Sequence, residues 1–225
     1  GLGEGIADAL LGSGHRVLGC SRRGNARLAG HPAYREACFD RADEAAARSG
    51  LQALLQDCES LELVVLNAGV LGTFGDLAQA ETAELQHTMQ VNLWANHFAM
   101  RALIDAQRLP QRMVAISSGA AVRGRRGWSG YALSKAALNM FVQLWAAELP
   151  DTHCAALAPG LVDTAMQDRL CGMPQDERYD SLDFLRGARD TEDMPTPASI
   201  APRIVELCWS LDAHCESGGF VDVRA

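Results

Sequence analysis

Tyr131 and Lys135 are four residues apart in a stretch that reads as helix, so their side chains share one face a turn apart. Lys135 is the only lysine among 20 basic residues, and the chain has three tyrosines. A cation beside a phenol favours the phenolate and draws its pKa from ~10 toward the working pH. Such a phenol can hand a proton to a forming alkoxide, or take one in reverse. Ser118 stands thirteen residues earlier, at the end of an apolar run. Its hydroxyl is placed to hydrogen-bond a carbonyl and hold it polarised. Tyr-x-x-x-Lys alone is common on helices. The upstream Ser117-Ser118, Asn67-Ala68-Gly69 and Asn92 make this instance specific.

A second group reads as a nucleotide site. Gly1-Leu2-Gly3-Glu4-Gly5 opens an apolar helix. Glycines at a helix start let a phosphate approach free backbone N–H groups and the positive end of the helix dipole. Gly1, Leu2 and Gly3 are therefore assigned to cofactor binding. A dinucleotide fold places a strand ahead of such a turn. The expectation is that this strand belongs mid-sheet and that the chain begins inside the motif. The first strand ends in Ser21-Arg22-Arg23. An acid there would bind a ribose 2′-hydroxyl and favour NAD, whereas arginine accommodates a 2′-phosphate. NADP(H) is therefore expected, the alternative being that Arg22 and Arg23 are solvated surface charge. Asp40, after the next strand, reads either as facing the adenine or as a helix N-cap.

The elements that must position these groups alternate between strand and helix. Helices are expected at 3–13, 42–57, 81–108, 129–149 and 197–211. Strands are expected at 16–21, 34–39, 61–66, 112–117, 153–158 and 220–223. Pro110 and Pro150 end the two long helices. Alternation of this kind implies a doubly wound, mostly parallel sheet with helices on both faces, an α/β Rossmann-like fold. Ligands of such sheets sit beyond the carboxyl ends of the strands, where the motifs fall. The segment 161–195 breaks the alternation and carries Met166, Met173, Phe184 and Met194 among many charges. It reads as an irregular lid over the site, against the plainer reading of a surface excursion.

Composition narrows the class. The 225 residues suit one domain, with 48% hydrophobic and 21% charged residues, as in a globular protein with a real core. A net charge of −8 with no basic block argues against nucleic acid as a partner. No apolar run approaches the ~20 residues of a membrane span. Seven scattered cysteines without a C-x-x-C pair suggest reduced thiols in a cytoplasm, and the six histidines lack metal-ligand spacing, so no metal is expected.

Taken together, the motifs resemble those of the short-chain dehydrogenase/reductase family over nearly the whole chain. They are Gly1-Leu2-Gly3, Asn67-Ala68-Gly69, Asn92 in Val91-Asn92-Leu93, Ser118, Tyr131, Lys135, and Pro159-Gly160 with Val162 and Thr164. The resemblance implies hydride transfer between a nicotinamide and a carbonyl carbon. It implies that Tyr131 donates the proton, Lys135 also holds the nicotinamide ribose, and Ser118 positions the carbonyl. Asn92 would hold a relay water. Asn67, Ala68 and Gly69 would line the adenosine side, and Pro159, Gly160, Val162 and Thr164 the nicotinamide side, Thr164 at the carboxamide. The chain departs from the family at its front, where the first glycine of Thr-Gly-x-x-x-Gly-x-Gly is absent.

Within the family, Ser117 to Ala121, Gly127-Trp128, Ser134 to Met140, Val162 to Gln167 and Ser217 to Asp222 are similar to benzil and sepiapterin reductases. A ketone or 1,2-dicarbonyl substrate follows from that likeness. Trp128 either walls the pocket or packs in the core, Met166 lies on the substrate side, and Asp222 either anchors a substrate or simply ends the last strand. Trp94, Phe98, Phe141 and Trp145 on the two long helices are shared between core and the family's helix-on-helix interface, implying a homodimer or homotetramer. The alternatives are a dehydrogenase of another alcohol, of 3-oxoacyl or steroid type, and a cofactor-sensing protein without chemistry. The latter would be expected to have lost Tyr131 or Lys135.

Overall fold

The computed structural model describes residues 1–224. Helix α1 (Leu2–Gly12) is followed by strands β1 (Val17–Ser21) and β2 (Tyr34–Cys38), helix α2 (Glu44–Leu55) and strand β3 (Leu61–Leu66). Then come α3 (Thr82–Met89), a π-helical turn (Gln90–Trp94), α4 (Ala95–Asp105), β4 (Pro110–Ile116) and α5 (Ser129–Glu148). Strand β5 (His153–Ala158), helices α6 (Ala165–Cys171), α7 (Asp180–Ala188) and α8 (Pro197–Trp209), and strand β6 (Gly219–Asp222) complete the order.

All strand pairs are parallel. β1 pairs with β2, and β3, β4, β5 and β6 pair in that order. The chain thus has an α/β Rossmann-like fold, but its strands lie in two sheets where one was expected. No ladder joins β1 to β3.

The period-2 alternation of β4 builds the core on both faces. Met113 and Ala115 point to a cluster with Leu93, Met100 and Leu103 of the π-turn and α4 and with Leu138, Phe141 and Trp145 of α5. Val114 and Ile116 point the other way, to Ile6 of α1 and Ala201, Ile204 and Leu207 of α8. Strands flanked by helices on both faces end together, and the turns after β3, β4 and β5 carry the motif residues.

Two expectations change. The helix expected over 81–108 is broken by the π-turn at Gln90–Trp94, which inserts one extra residue where Asn92 reaches a distant backbone. The segment 161–195 is not irregular, because it folds as α6 and α7. Leu170, Tyr179, Leu182, Leu185, Ala188 and Met194 are buried there in one cluster with Leu71 and Tyr131. Apolar residues at helical spacing on α7 (Leu182, Leu185, Ala188) give that segment one face to bury, while Phe184 stays exposed.

Candidate active site

Helix α5 carries Tyr131 in its first turn and Lys135 one turn later, and both are buried, at 9% and 3% exposure. The Lys135 Nζ donates to the Ile116 carbonyl at 2.7 Å. That bond ties α5 to the end of β4, two residues before Ser118. The ammonium lies 5.7 Å from the centroid of the Tyr131 ring. Ser118 opens a 3-10 turn, Gly119–Ala121, and its Oγ accepts from Ala120 N at 3.2 Å.

The electrostatics differ from the expected neighbour effect. Burial pushes the Tyr131 phenol up, and the Ser118 hydroxyl acts the other way as the lesser influence. Burial also pulls Lys135 down to about 8. The cation therefore does not depress the phenol in this structure. Desolvation is the leading cause for both groups, since each charged form leaves water for an apolar enclosure.

Asn92 is fully buried and works as a clamp. Its Oδ1 accepts from Val70 N at 2.7 Å, and its Nδ2 donates to Val70 O and to Ser134 Oγ, both at 2.9 Å. Ser134 in turn donates to the Tyr131 carbonyl at 2.8 Å. The turn after β3 is thereby fixed against the helix of Tyr131. Both amide hydrogens of Asn92 are committed, so the side chain positions backbone. The Asn92 carbonyl accepts from Asn96 Nδ2 at 2.8 Å, and Asn96, also fully buried, was not singled out from the sequence.

Two glycines lie where a side chain would crowd its neighbours. A Cβ on Gly69 would lie 3.2 Å from Asn92 Oδ1 and 3.4 Å from Lys135 Nζ. A Cβ on Gly3 would lie 2.5 Å from Asn67 Nδ2. The first turn of α1, the Asn67-Ala68-Gly69 turn and Lys135 are thus contiguous, as the sequence grouped them.

The cofactor side fits a dinucleotide. Glu4 N and Gly5 N bond to Gly1 O, while the amides of Leu2 and Gly3 precede the first helical acceptor. The acid in that turn, Glu4, is held by Arg27 at 2.7 Å. Ser21 Oγ accepts from Gly24 N at 2.9 Å. Arg22 and Arg23 are exposed and make no ion pair among the described residues. Asp40 is exposed and accepts from Ala42 N at 2.9 Å. It is not the N-cap of α2, a place taken by Asp43. Arg41 was missed: burial lowers its pKa, and Cys20 and Asp40 partly offset that. An arginine inside a charged run looked like surface. Beyond β5, Gly160 has φ +77°, Val162 is buried, and Thr164 precedes α6 without a side-chain capping bond.

Trp128 packs between α7 and Tyr131. Its Nε1 donates to Ser181 Oγ on α7 at 3.0 Å, and its ring centroid is 5.7 Å from that of Tyr131. Met166 packs against the same cluster as Tyr131. Asp222 ends β6 and is gripped by Arg224, whose Nε and Nη2 reach its oxygens at 2.9 and 2.7 Å. Arg224, another residue missed, lies between Gly160 and the turn of Ser118: its Cδ is 3.1 Å and its Nη2 3.9 Å from Cβ positions built on Gly160 and Gly119.

The sequence profile of the short chain dehydrogenases matches residues 1–173. The chain is a short-chain dehydrogenase. Among its relatives, an uncharacterised oxidoreductase of Schizosaccharomyces pombe is 30% identical over 181 residues, covering 79% of this chain and 73% of that protein. A benzil reductase ((S)-benzoin forming) of Bacillus subtilis is 27% identical, covering 100% and 94%. A short-chain dehydrogenase/reductase structure from Saccharomyces cerevisiae superposes with a TM-score of 0.87 at 21% identity, covering 100% of this chain and 92% of that one. This dehydrogenase is accordingly an NAD(P)-dependent oxidoreductase. Among its described residues, no helix is long and apolar enough to cross a membrane and no cluster of three or more His, Cys, Asp or Glu could hold a metal.

Proposed function

We propose that this dehydrogenase is an NADPH-dependent carbonyl reductase acting on a ketone or 1,2-dicarbonyl. The observation that carries the reading is the grouping of buried Tyr131 and Lys135 with half-buried Ser118 beyond the carboxyl end of β4, Tyr131 being set in an apolar, aromatic cluster. A phenol pushed up by burial keeps its proton at neutral pH, the state a general acid needs before a carbonyl is reduced. Ser118 holds the carbonyl oxygen, Tyr131 protonates it, and Lys135 fixes the nicotinamide ribose while pinned to Ile116. Asn92 sets the turn after β3 and the start of α5. The cofactor, when bound, supplies the hydride. Gly1, Leu2 and Gly3 offer amides to its phosphates, and Asn67, Ala68 and Gly69 line the adenosine. Pro159, Gly160, Val162 and Thr164 line the nicotinamide. The unpaired Arg22 and Arg23, with Arg41, support NADP(H) over NAD. Trp128 and Met166 face the substrate, and the likeness to benzil reductase supports an aromatic dicarbonyl.

A second copy of the chain is the proposed macromolecular partner. Leu133, Met140 and Leu144 share one face of α5 and are 51%, 52% and 58% exposed, with Trp94 exposed as well. That face supports a homodimer or homotetramer. The seven cysteines are free, in keeping with a cytoplasmic location.

The test is NADPH oxidation against benzil, sepiapterin, simple diketones and aldehydes. Turnover of a ketone or diketone is expected, and Tyr131→Phe is expected to abolish it while NADPH still binds. Oxidation of alcohols alone, or full activity in Tyr131→Phe, overturns the reading.

A further inference from the structure

Three chain segments around Tyr131 each contribute one aromatic ring and, within two residues of it, a charged side chain that joins one ion-pair cluster. Phe74 and Asp76 follow β3, Arg126 and Trp128 lead into α5, and Arg178 and Tyr179 lead into α7. The rings meet on the inside. Phe74 is edge-on to Trp128 and to Tyr179, with centroids 5.5 and 5.1 Å apart, and Trp128 leans on Tyr131. The charges meet on the outside. Asp76 takes Arg126 in a fork, Nε to Oδ1 and Nη2 to Oδ2, both at 2.7 Å. Its Oδ2 also accepts from Arg178 Nη1 at 3.2 Å. Arg178 holds Asp176 as well, at 2.7 Å, and its guanidinium lies 5.1 Å from the centroid of the Tyr179 ring.

The three segments are not attached alike. Gly75 N donates to Gly127 O at 2.8 Å, so backbone already joins the first two. Among the described residues, the backbone of 174–194 makes backbone hydrogen bonds only within itself. Its polar attachment to the loops beside Tyr131 runs through side chains: Asp76 to Arg178, Arg125 to Asp180 at 3.6 Å, and Trp128 to Ser181. A lone exposed ion pair fixes little. A carboxylate forked by one guanidinium and shared with a second, its side chain only 15% exposed, fixes geometry.

We infer that Asp76 is a positioning residue: it clamps the α7 segment onto the loop ahead of α5 and so sets Phe74, Trp128 and Tyr179 as a fixed wall that favours flat aromatic carbonyl substrates. The clamp stands on the geometry alone. Its effect on substrate choice rests on the carbonyl reductase reading.

The test compares wild type with Asp76→Asn, which keeps the size and removes the charge, and with Asp76→Glu, which restores it. Hydrogen exchange reads the clamp without any turnover. Amides of 178–188 are expected to exchange about fivefold faster in Asp76→Asn and to return toward wild type in Asp76→Glu. At saturating NADPH, the KM for benzil is expected to rise about fivefold with kcat nearly unchanged, while the KM for butane-2,3-dione stays put. Added salt should raise the wild-type ratio of these KM values and leave that of Asp76→Asn alone. Unchanged exchange refutes the clamp, and equal loss on both substrates refutes the wall. Should wild type reduce neither compound, the carbonyl reductase reading and the wall fall together, and exchange alone decides the clamp. If Asp76→Asn does not fold, Arg178→Gln breaks the same contact from the other side, with the same expected and refuting results.

Discussion

Lys135 offers a quantity that can be worked from the structure to a measurement. Its ammonium is buried, with the Ile116 carbonyl as its hydrogen-bond acceptor, and burial pulls its pKa from 10.5 to about 8. The folded protein therefore releases this proton near pH 8, while the unfolded chain keeps it to about 10.5. Between those values the unfolded chain binds more protons, so stability rises with pH across the window. Below about pH 8 both states are charged and the contribution is flat, with the folded state bearing the full desolvation of the ammonium. The whole gap corresponds to roughly 3 kcal/mol, of which roughly 2 kcal/mol is recovered between about pH 7 and 9.5.

The assay is urea unfolding of the cofactor-free protein at steps from about pH 6.5 to 9.5, for wild type and Lys135→Met. The variant keeps the aliphatic stem, removes the charge and leaves the Ile116 carbonyl unpaired, a loss that does not vary with pH. Subtracting it matters, because buried thiols act in the opposite sense. Burial pushes Cys154 up to about 11 and Cys208 up to about 12. The unfolded chain loses those protons first as pH rises through about 9, which lowers stability, and does so equally in both proteins. The difference between wild type and variant is expected to move toward wild type by roughly 2 kcal/mol. A flat difference refutes the reasoning, since Lys135 would then keep its ordinary pKa through water or a partner in the folded state.

Replacing Arg22 and Arg23 with Ala should raise the KM for NADPH by at least about tenfold and leave that for NADH nearly unchanged in steady-state assays, because each exposed guanidinium acts on the 2′-phosphate alone. Asn92→Ala should lower stability by roughly 2–4 kcal/mol in denaturant unfolding, since it leaves both polar groups of Val70 without their partner. Glutamate at both Met140 and Leu144 should shift sedimentation at micromolar concentration toward monomer without lowering stability, because both side chains are already exposed in the single chain.

What the sequence made legible was local. Tyr131 and Lys135 share a face because the helix period is set within one turn, and Ser118 ends an apolar run that can only be a strand. Gly3 and Gly69 were legible as glycines, though their neighbours Asn67, Asn92 and Lys135 lie far away in the chain. The π-turn was not legible. Its cause is a pair of bonds between Asn92 and Val70, 22 residues apart, and apolar periodicity does not record an extra residue in one turn. Helices α6 and α7 are short and charged, so their apolar stripe was lost among acids and arginines. Arg224 was overlooked because a charged residue near a chain end reads as solvated, yet it takes the very carboxylate, Asp222, that looked free for a ligand.

The sharpest disagreement concerns the sign of the effect on Tyr131, and it bears on the resting protonation state of the site. A lysine one turn away suggested a phenol poised to ionise. Both groups are buried instead, Tyr131 against the α7 cluster, and burial raises the phenol while lowering the ammonium. Both shifts favour the uncharged forms. An enclosure that penalises charge in this way admits a neutral carbonyl more readily than an anion. It also keeps the proton on Tyr131 until an alkoxide forms beside it. Once the proton has passed to the alkoxide, the same enclosure holds a phenolate, and the buried Lys135 is the cation nearest to it. Desolvation thus fixes the resting state of Tyr131 as the protonated phenol, the form a general acid starts from.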